Sequence, residues 1–236
     1  MKSAVFSALF LGSLSLAPAA PKEFSSGPAR VHVIELFTSE GCSSCPPADE
    51  WLGNLRDQRG LWTDFVPLGW HVDYWNQLGW PDRFSTKEFT AREYAYSGAW
   101  GSDSVYTPCF VLDGIEMTSR ALPEGDPAAK AGLLTATVGD DRRVTVRFAG
   151  AGSGEVHAAL LGAGITSKVR AGENRGRELR HDFVVLRIVS APLHNGVADL
   201  VLPDDRDSTV PRHAVAIWIT RTGKLAPLQA TGGWLD

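Results

Sequence analysis

Cysteine is scarce in this chain: Cys42, Cys45 and Cys109 are the only three among 236 residues. Three are too few and too clustered for a disulfide scaffold, and an odd number leaves at least one thiol free in a monomer. A structural zinc site of the common two-pair type lacks its second pair. An excess of either charge is also missing. The chain has 23 Lys and Arg against 27 Asp and Glu, a net charge of -4, so nothing favours nucleic acid or an acidic membrane surface. The short Arg clusters at Arg142-Arg143 and Arg175 to Arg180 read as solvated faces. Beyond the amino terminus no segment reaches the roughly 18 apolar residues of a membrane span. Ser-x-x-Lys, Gly-x-Ser-x-Gly, dinucleotide-binding and phosphate-loop motifs are absent, which leaves a hydrolase only unlinked Ser, His and Asp. Pro46 stands where c-type haem attachment requires His. No cofactor and no bound metal are expected.

Material for a core is plentiful. The composition is 44% hydrophobic with eight Trp, ten Phe and four Tyr, which argues against disorder and allows one sizeable core or two small ones. The first residues read as a signal peptide. Lys2 is the positive start, Val5 to Leu16 the apolar stretch and Ala17-Pro18-Ala19 the small-x-small cleavage pattern. Residues 1–19 are therefore expected to be removed, leaving an exported protein, periplasmic or secreted, with no stable membrane insertion. Residues 20–30 form a Pro/Ser/Gly-bearing lead-in with no period.

Two regions of different character follow. From 31 to 139 the pattern is an α/β layer arrangement. Val31 to Phe37 is a strand rich in β-branched residues. Pro46 and Pro47 open a helix, where a missing N–H is harmless, and Gly60 stops it. Phe65 to Val72 is a second strand and Thr86 to Tyr96 a second helix. Cys109 to Leu112 is a strand that turns at Asp113-Gly114 into Ile115 to Thr118. Pro127 to Val138 is predicted as a helix. From 140 to 236 short strand candidates recur at Arg143–Phe148, Glu155–Leu161, Asp182–Val189, Val197–Leu202 and His213–Thr220, with no convincing helix. The expectation is an α/β domain followed by a small all-β, sandwich-like domain.

The chemistry concentrates at Cys42-Ser43-Ser44-Cys45. A Cys at a helix amino terminus meets unpaired backbone N–H groups and the helix dipole, which stabilise a thiolate. Cys42 fits the attacking thiol and Cys45 the resolving one, with the Ser43 and Ser44 hydroxyls beside them. The same spacing also suits a structural disulfide, or a copper site completed by Cys109 or His71. Thr107-Pro108 is the second anchor: opposite a dithiol, Thr107 would present backbone groups to an extended substrate. Cys109 is either a third thiol at the site or a small apolar residue under the sheet. His71 and Asp73 lie two apart on an extended segment and share a face, so they are candidates for a proton relay. Glu35 alternates with Ile34 and Leu36 and is read as facing solvent, the alternative being a buried proton acceptor below Cys45.

The run Glu35 to Asp49, together with His71-Val72-Asp73-Tyr74-Trp75, Val105-Tyr106-Thr107-Pro108 and Gly172 to His181, resembles the bacterial exported family called domain of unknown function 1223. The resemblance spans nearly the whole mature chain. It implies a thioredoxin-like fold for residues 31–139, a dithiol at Cys42 and Cys45 and a cis peptide before Pro108. Cys109 departs from the Gln usual after Thr-Pro in that family. The expected function is exported thiol–disulfide exchange or a redox-linked accessory role, with protein thiols or disulfides of the periplasm as partners. The second domain would position partners or mediate homodimerisation. The alternatives are a binding or scaffold module stapled by Cys42–Cys45, and copper handling.

Overall fold

The computed structural model describes residues 20–122, 130–205 and 207–235. The expected signal peptide lies outside the described residues. In chain order the elements are β1 (Lys22–Ser25), β2 (His32–Thr38), α1 (Pro46–Asn54), β3 (Phe65–His71), α2 (Lys87–Ala99), β4 (Cys109–Leu112) and β5 (Ile115–Glu116). Then come β6 (Leu134–Val138), β7 (Arg143–Phe148), β8 (Ser153–Ala163), β9 (Ile165–Lys168), β10 (Glu178–His181), β11 (Val184–His194), β12 (Val197–Val201), β13 (Arg212–Thr220) and β14 (Pro227–Trp234).

Strands β2 and β3 are mostly apolar because both are buried on both faces. They pair in parallel from His32 opposite Phe65 to Thr38 opposite His71, and α1 makes the crossover such a pair needs. Strand β4 flanks β2 antiparallel, with Phe37 opposite Cys109. The other edge of β3 receives β11, where Gly69 N–H donates to the Phe183 carbonyl at 2.8 Å. From β11 the hydrogen bonding runs on through β12, β7, β6 and β1, and separately through β8, β13 and β14.

The described residues thus form a mixed α/β fold dominated by one 12-stranded sheet, with β9–β10 as a separate two-stranded hairpin. No clear division into a thioredoxin unit and a separate sandwich is seen. The packing gives the reason. One apolar cluster joins Leu36, Leu52 and Trp70 from the first half to Leu161, Phe183 and Trp218 from the second. Trp70 and Trp218 meet edge to face, centroids 6.4 Å apart. Each such side chain contributes about 1.5–3 kcal/mol by leaving water, so the two halves are bound by a common core. A second cluster lies wholly among the later strands, around Leu134, Val146, Ile217 and Ile219.

Three local expectations are corrected. The helix predicted over 127–138 is the strand β6 from Leu134 onward, while 127–129 lie outside the described residues. Leu134, Ala136 and Val138 are buried and Thr135 and Thr137 half-buried, a period of two. The lead-in contains β1, which pairs with β6 from Lys22 opposite Val138 to Ser25 opposite Thr135. Glu35 does not face solvent. It is buried and holds Arg92, whose Nε and Nη2 donate to its carboxylate at 2.6 and 3.0 Å. Among the described residues no helix is long and apolar enough to cross a membrane.

Candidate functional site: a covered dithiol beside a buried histidine–carboxylate cluster

The chain leaves β2 at Thr38 and turns sharply. Gly41 N–H donates to Ser39 Oγ at 3.1 Å and Cys42 N–H to the Ser39 carbonyl at 3.2 Å. A Cβ on Gly41 would stand 3.0 Å from the Cβ of Trp75, which favours glycine there. Cys45 caps α1, with Pro46 and Pro47 in the first turn. Cys42 and Cys45 form a disulfide with their Cα atoms 5.4 Å apart. Cys42 Sγ lies 3.3 Å from Ser44 Oγ and 3.8 Å from the Thr107 carbonyl oxygen. The Thr107–Pro108 peptide is cis. The structure therefore brings Cys42, Cys45, Ser44, Thr107 and Pro108 together.

Both cysteines are 0% exposed, whereas Ser43 and Ser44 face solvent. Part of the cover comes from the second half. Buried Asn174 donates through Nδ2 to the carbonyls of Glu40 and Cys42, at 2.9 and 2.8 Å. Glu173 accepts the Ser43 N–H at 3.1 Å, taking one of the amides a thiolate would use. The Ser43 hydroxyl and amide hold the Glu173 carboxyl below its usual range. Trp75 donates to Thr107 Oγ1 at 2.8 Å, tying the aromatic loop to the Thr107–Pro108 turn.

Beside the dithiol is a cluster of two imidazoles and three carboxyls, all buried. His71 Nδ1 lies 2.6 Å from Asp82 Oδ2, and the same oxygen accepts the Glu40 N–H at 2.9 Å. Trp80 Nε1 donates to Glu40 Oε2 at 2.6 Å. The His181 ring lies between two acids: Nε2 is 3.3 Å from Glu40 Oε1 and Nδ1 3.8 Å from Asp49 Oδ2. Neither contact is an aligned hydrogen bond, so both ring nitrogens and both oxygens lack such a partner. The His71 and His181 ring centroids are 5.0 Å apart.

Burial opposes charge throughout this cluster, and its neighbours decide the outcome. At His71 the Asp82 carboxylate overcomes burial and pushes the pKa up to about 9. At Glu40 burial is outweighed by the nearby His181 together with Ser167 and Trp80, which hold it down at about 2. At Asp49 burial wins and the pKa is raised, despite the opposing fields of His181 and His71.

The remaining sequence candidates separate. His71 does not pair with Asp73: it turns to Asp82, and Asp73 Oδ1 instead accepts from Thr90 Oγ1 at 2.6 Å. Cys109 is free and buried, and burial pushes its thiol up to about 12, where it is unreactive at neutral pH. Among the described residues no group of three or more His, Cys, Asp or Glu is arranged to hold a metal, so His71 and Cys109 do not complete a copper set with the pair. Reading the sequence by spacing missed Asp49, Asp82, His181, Glu173 and Asn174. Most of them lie inside the stretches that carry the family resemblance, the only signal that marked them.

The class this geometry defines is a mixed α/β protein with a covered Cys-x-x-Cys disulfide. The chain belongs to the family described as Protein of unknown function (DUF1223), whose model matches residues 33–220. It is similar to the crystal structure of protein AGR_C_4864 from Agrobacterium tumefaciens, at 28% identity and TM-score 0.64, over 86% of this chain and 94% of that one. HBP35 of Porphyromonas gingivalis shares the fold at 15% identity and TM-score 0.57, over 88% of this chain and 76% of that one. No curated protein matches.

Proposed function

We propose that this chain is an exported thiol–disulfide exchange protein, cleaved after its leader and working in the periplasm or outside the cell on protein thiols or disulfides. The observation that carries this is the Cys42–Cys45 disulfide at the amino end of α1 with Cys42 Sγ 3.8 Å from the Thr107 carbonyl. A partner chain lying along Thr107 and Pro108 would bring its sulfur to Cys42, and Cys45 would resolve the mixed disulfide. In this reading residues 31–139 act as the thioredoxin-like part. Residues 140–236 act as a sandwich-like part that supplies the cover and a surface for partners or for a second copy. The turn around Glu173 and Asn174 opens to admit the partner.

The test is a trap. With Cys45→Ser, the Cys42 thiolate should attack a model peptide that carries its own disulfide, accumulating a stable mixed disulfide with one half and releasing the other as a thiol, detected by intact mass. Adding Asn174→Ala should speed capture several-fold, because the cover loses both of its carbonyl contacts. No adduct in either background sinks the proposal. A second reading has its own support: full burial of both cysteines, and the Ser43 amide already taken by Glu173, suit a disulfide that staples a binding module.

A further inference from the structure

Asp49 is placed where a proton for the dithiol is needed. Cys45 is already helical, at φ -74° and ψ -37°, so Cys45 and Asp49 stand one turn apart on the same side of α1. Side chains four apart on a helix are neighbours, with Cβ atoms roughly 5–6 Å apart. Both residues are buried, Cys45 at 0% exposure and Asp49 at 7%. Beyond Asp49 the chain of ionisable groups continues through His181 to Glu40. Glu40 in turn borders an open cleft of about 460 Å³ with Trp80, Pro81 and Ser167. Asp49 itself lines a second open cleft, of about 590 Å³, with Pro46 and Glu50.

Resting on the exchange reading above, we propose that Asp49 is the proton donor and acceptor for Cys45, recharged from the open cleft that it lines itself. In reduction, a partner thiolate attacks Cys42 Sγ and a partner–Cys42 disulfide forms as the Cys42–Cys45 bond breaks. The electron pair leaves on Cys45 Sγ, and the Asp49 carboxylic acid gives it a proton. The products are the Cys45 thiol and an Asp49 carboxylate beside the His181 imidazole. In the reverse direction the Asp49 carboxylate takes the Cys45 proton, and the resulting thiolate expels the partner. The reductant is the partner's thiol, so no other electron source is needed.

Several charged groups set where Asp49 titrates. His181 on β10, His71 on β3 and Asp82 in the loop before α2 act on it. Glu50, Arg56, Arg177, Glu178, Arg180 and Asp182 line the second cleft with it. Burial favours the acid form, which is the form needed for donation.

The experiment is stopped-flow reduction of the oxidised full-length mature protein by glutathione from pH 5 to 9, each rate divided by the glutathione thiolate fraction. The corrected wild-type rate should fall as pH rises through the Asp49 titration. In Asp49→Asn it should be flat, and lower than wild type at pH 5 by on the order of 10²-fold, the lower end of general acid catalysis. His181→Gln removes the neighbour whose field lowers Asp49, so its fall should move to higher pH. A flat wild-type profile, or one that Asp49→Asn leaves unchanged, overturns the proposal while leaving the exchange reading intact. Should Asp49→Asn not fold, the His181→Gln profile decides: a shift upward supports the proposal and no shift overturns it. A wild-type disulfide that glutathione never reduces overturns the exchange reading, and this one with it.

Discussion

Two buried charge clusters lie on either side of the first-half sheet, and they are built to opposite specifications. At Glu35 the carboxylate meets the Arg92 guanidinium through two nitrogens and accepts the Tyr96 hydroxyl. Arg92 in turn rests on the rings of Trp70, Tyr96 and Trp218. At Asp49 and Glu40 the imidazole of His181 stands between two acids with neither contact aligned, and four buried polar atoms lack a hydrogen bond. Burial penalises an unpaired polar group far more than a paired one. The first cluster therefore fixes a structure across both halves of the chain. The second leaves Asp49 and His181 without fixed hydrogen-bond partners, next to the disulfide.

The sharpest way to break this comparison is to remove one member of each cluster. Arg92→Met leaves the Glu35 carboxylate buried without its cation and should destabilise the fold by about 3–5 kcal/mol. Asp49→Asn turns an already disfavoured buried acid into a neutral amide and should stay within roughly 1 kcal/mol of wild type. Chemical denaturation measures both. Equal losses would mean that the two clusters do the same structural work.

Stability against pH sharpens it further. His71 is raised to about 9, so its contribution is fully present below its unfolded value near 6.5 and is lost as pH rises through 9. Glu40 is depressed to about 2, so its contribution is present above about 4.5 and lost as pH falls through 2. Asp49, an acid with a raised pKa, stabilises only below its unfolded value and so deepens the loss on the neutral side. Stability should be greatest between about pH 4.5 and 6.5 and fall by up to about 3 kcal/mol towards pH 9. Denaturation midpoints across that range check it, with Asp82→Asn expected to flatten the alkaline limb. A wild-type optimum above pH 8 would contradict the charge assignment.

Much of the fold was legible and the site only partly so. Strands β2, β3 and β4 announce themselves because strands buried on both faces are dominated by apolar and β-branched residues. The dithiol and the Thr107–Pro108 turn are local motifs. Strand β6 reads as helix because Leu134 and Val138, four apart, fit a helical spacing as well as an alternating one, and only pairing with β1 and β7 decides. Strand β14 is opaque because Gly232 and Gly233 look like a turn. They are glycines because the rings of Trp62 and Phe24 press against their backbone. The histidine–carboxylate cluster draws on residues from Glu40 to His181, and no spacing rule reaches across that span. Glu35 fitted the alternation of a half-exposed strand, but its partner Arg92 lies on α2, beyond any local pattern.

The central claim is that the covered disulfide is a working couple. The equilibrium reduction potential of Cys42–Cys45, measured on the purified protein in glutathione buffers with thiol counting, tests it most directly. The account predicts a value between about -270 and -120 mV, the span of catalytic dithiols. A value below about -300 mV is that of a structural disulfide and would contradict the exchange function.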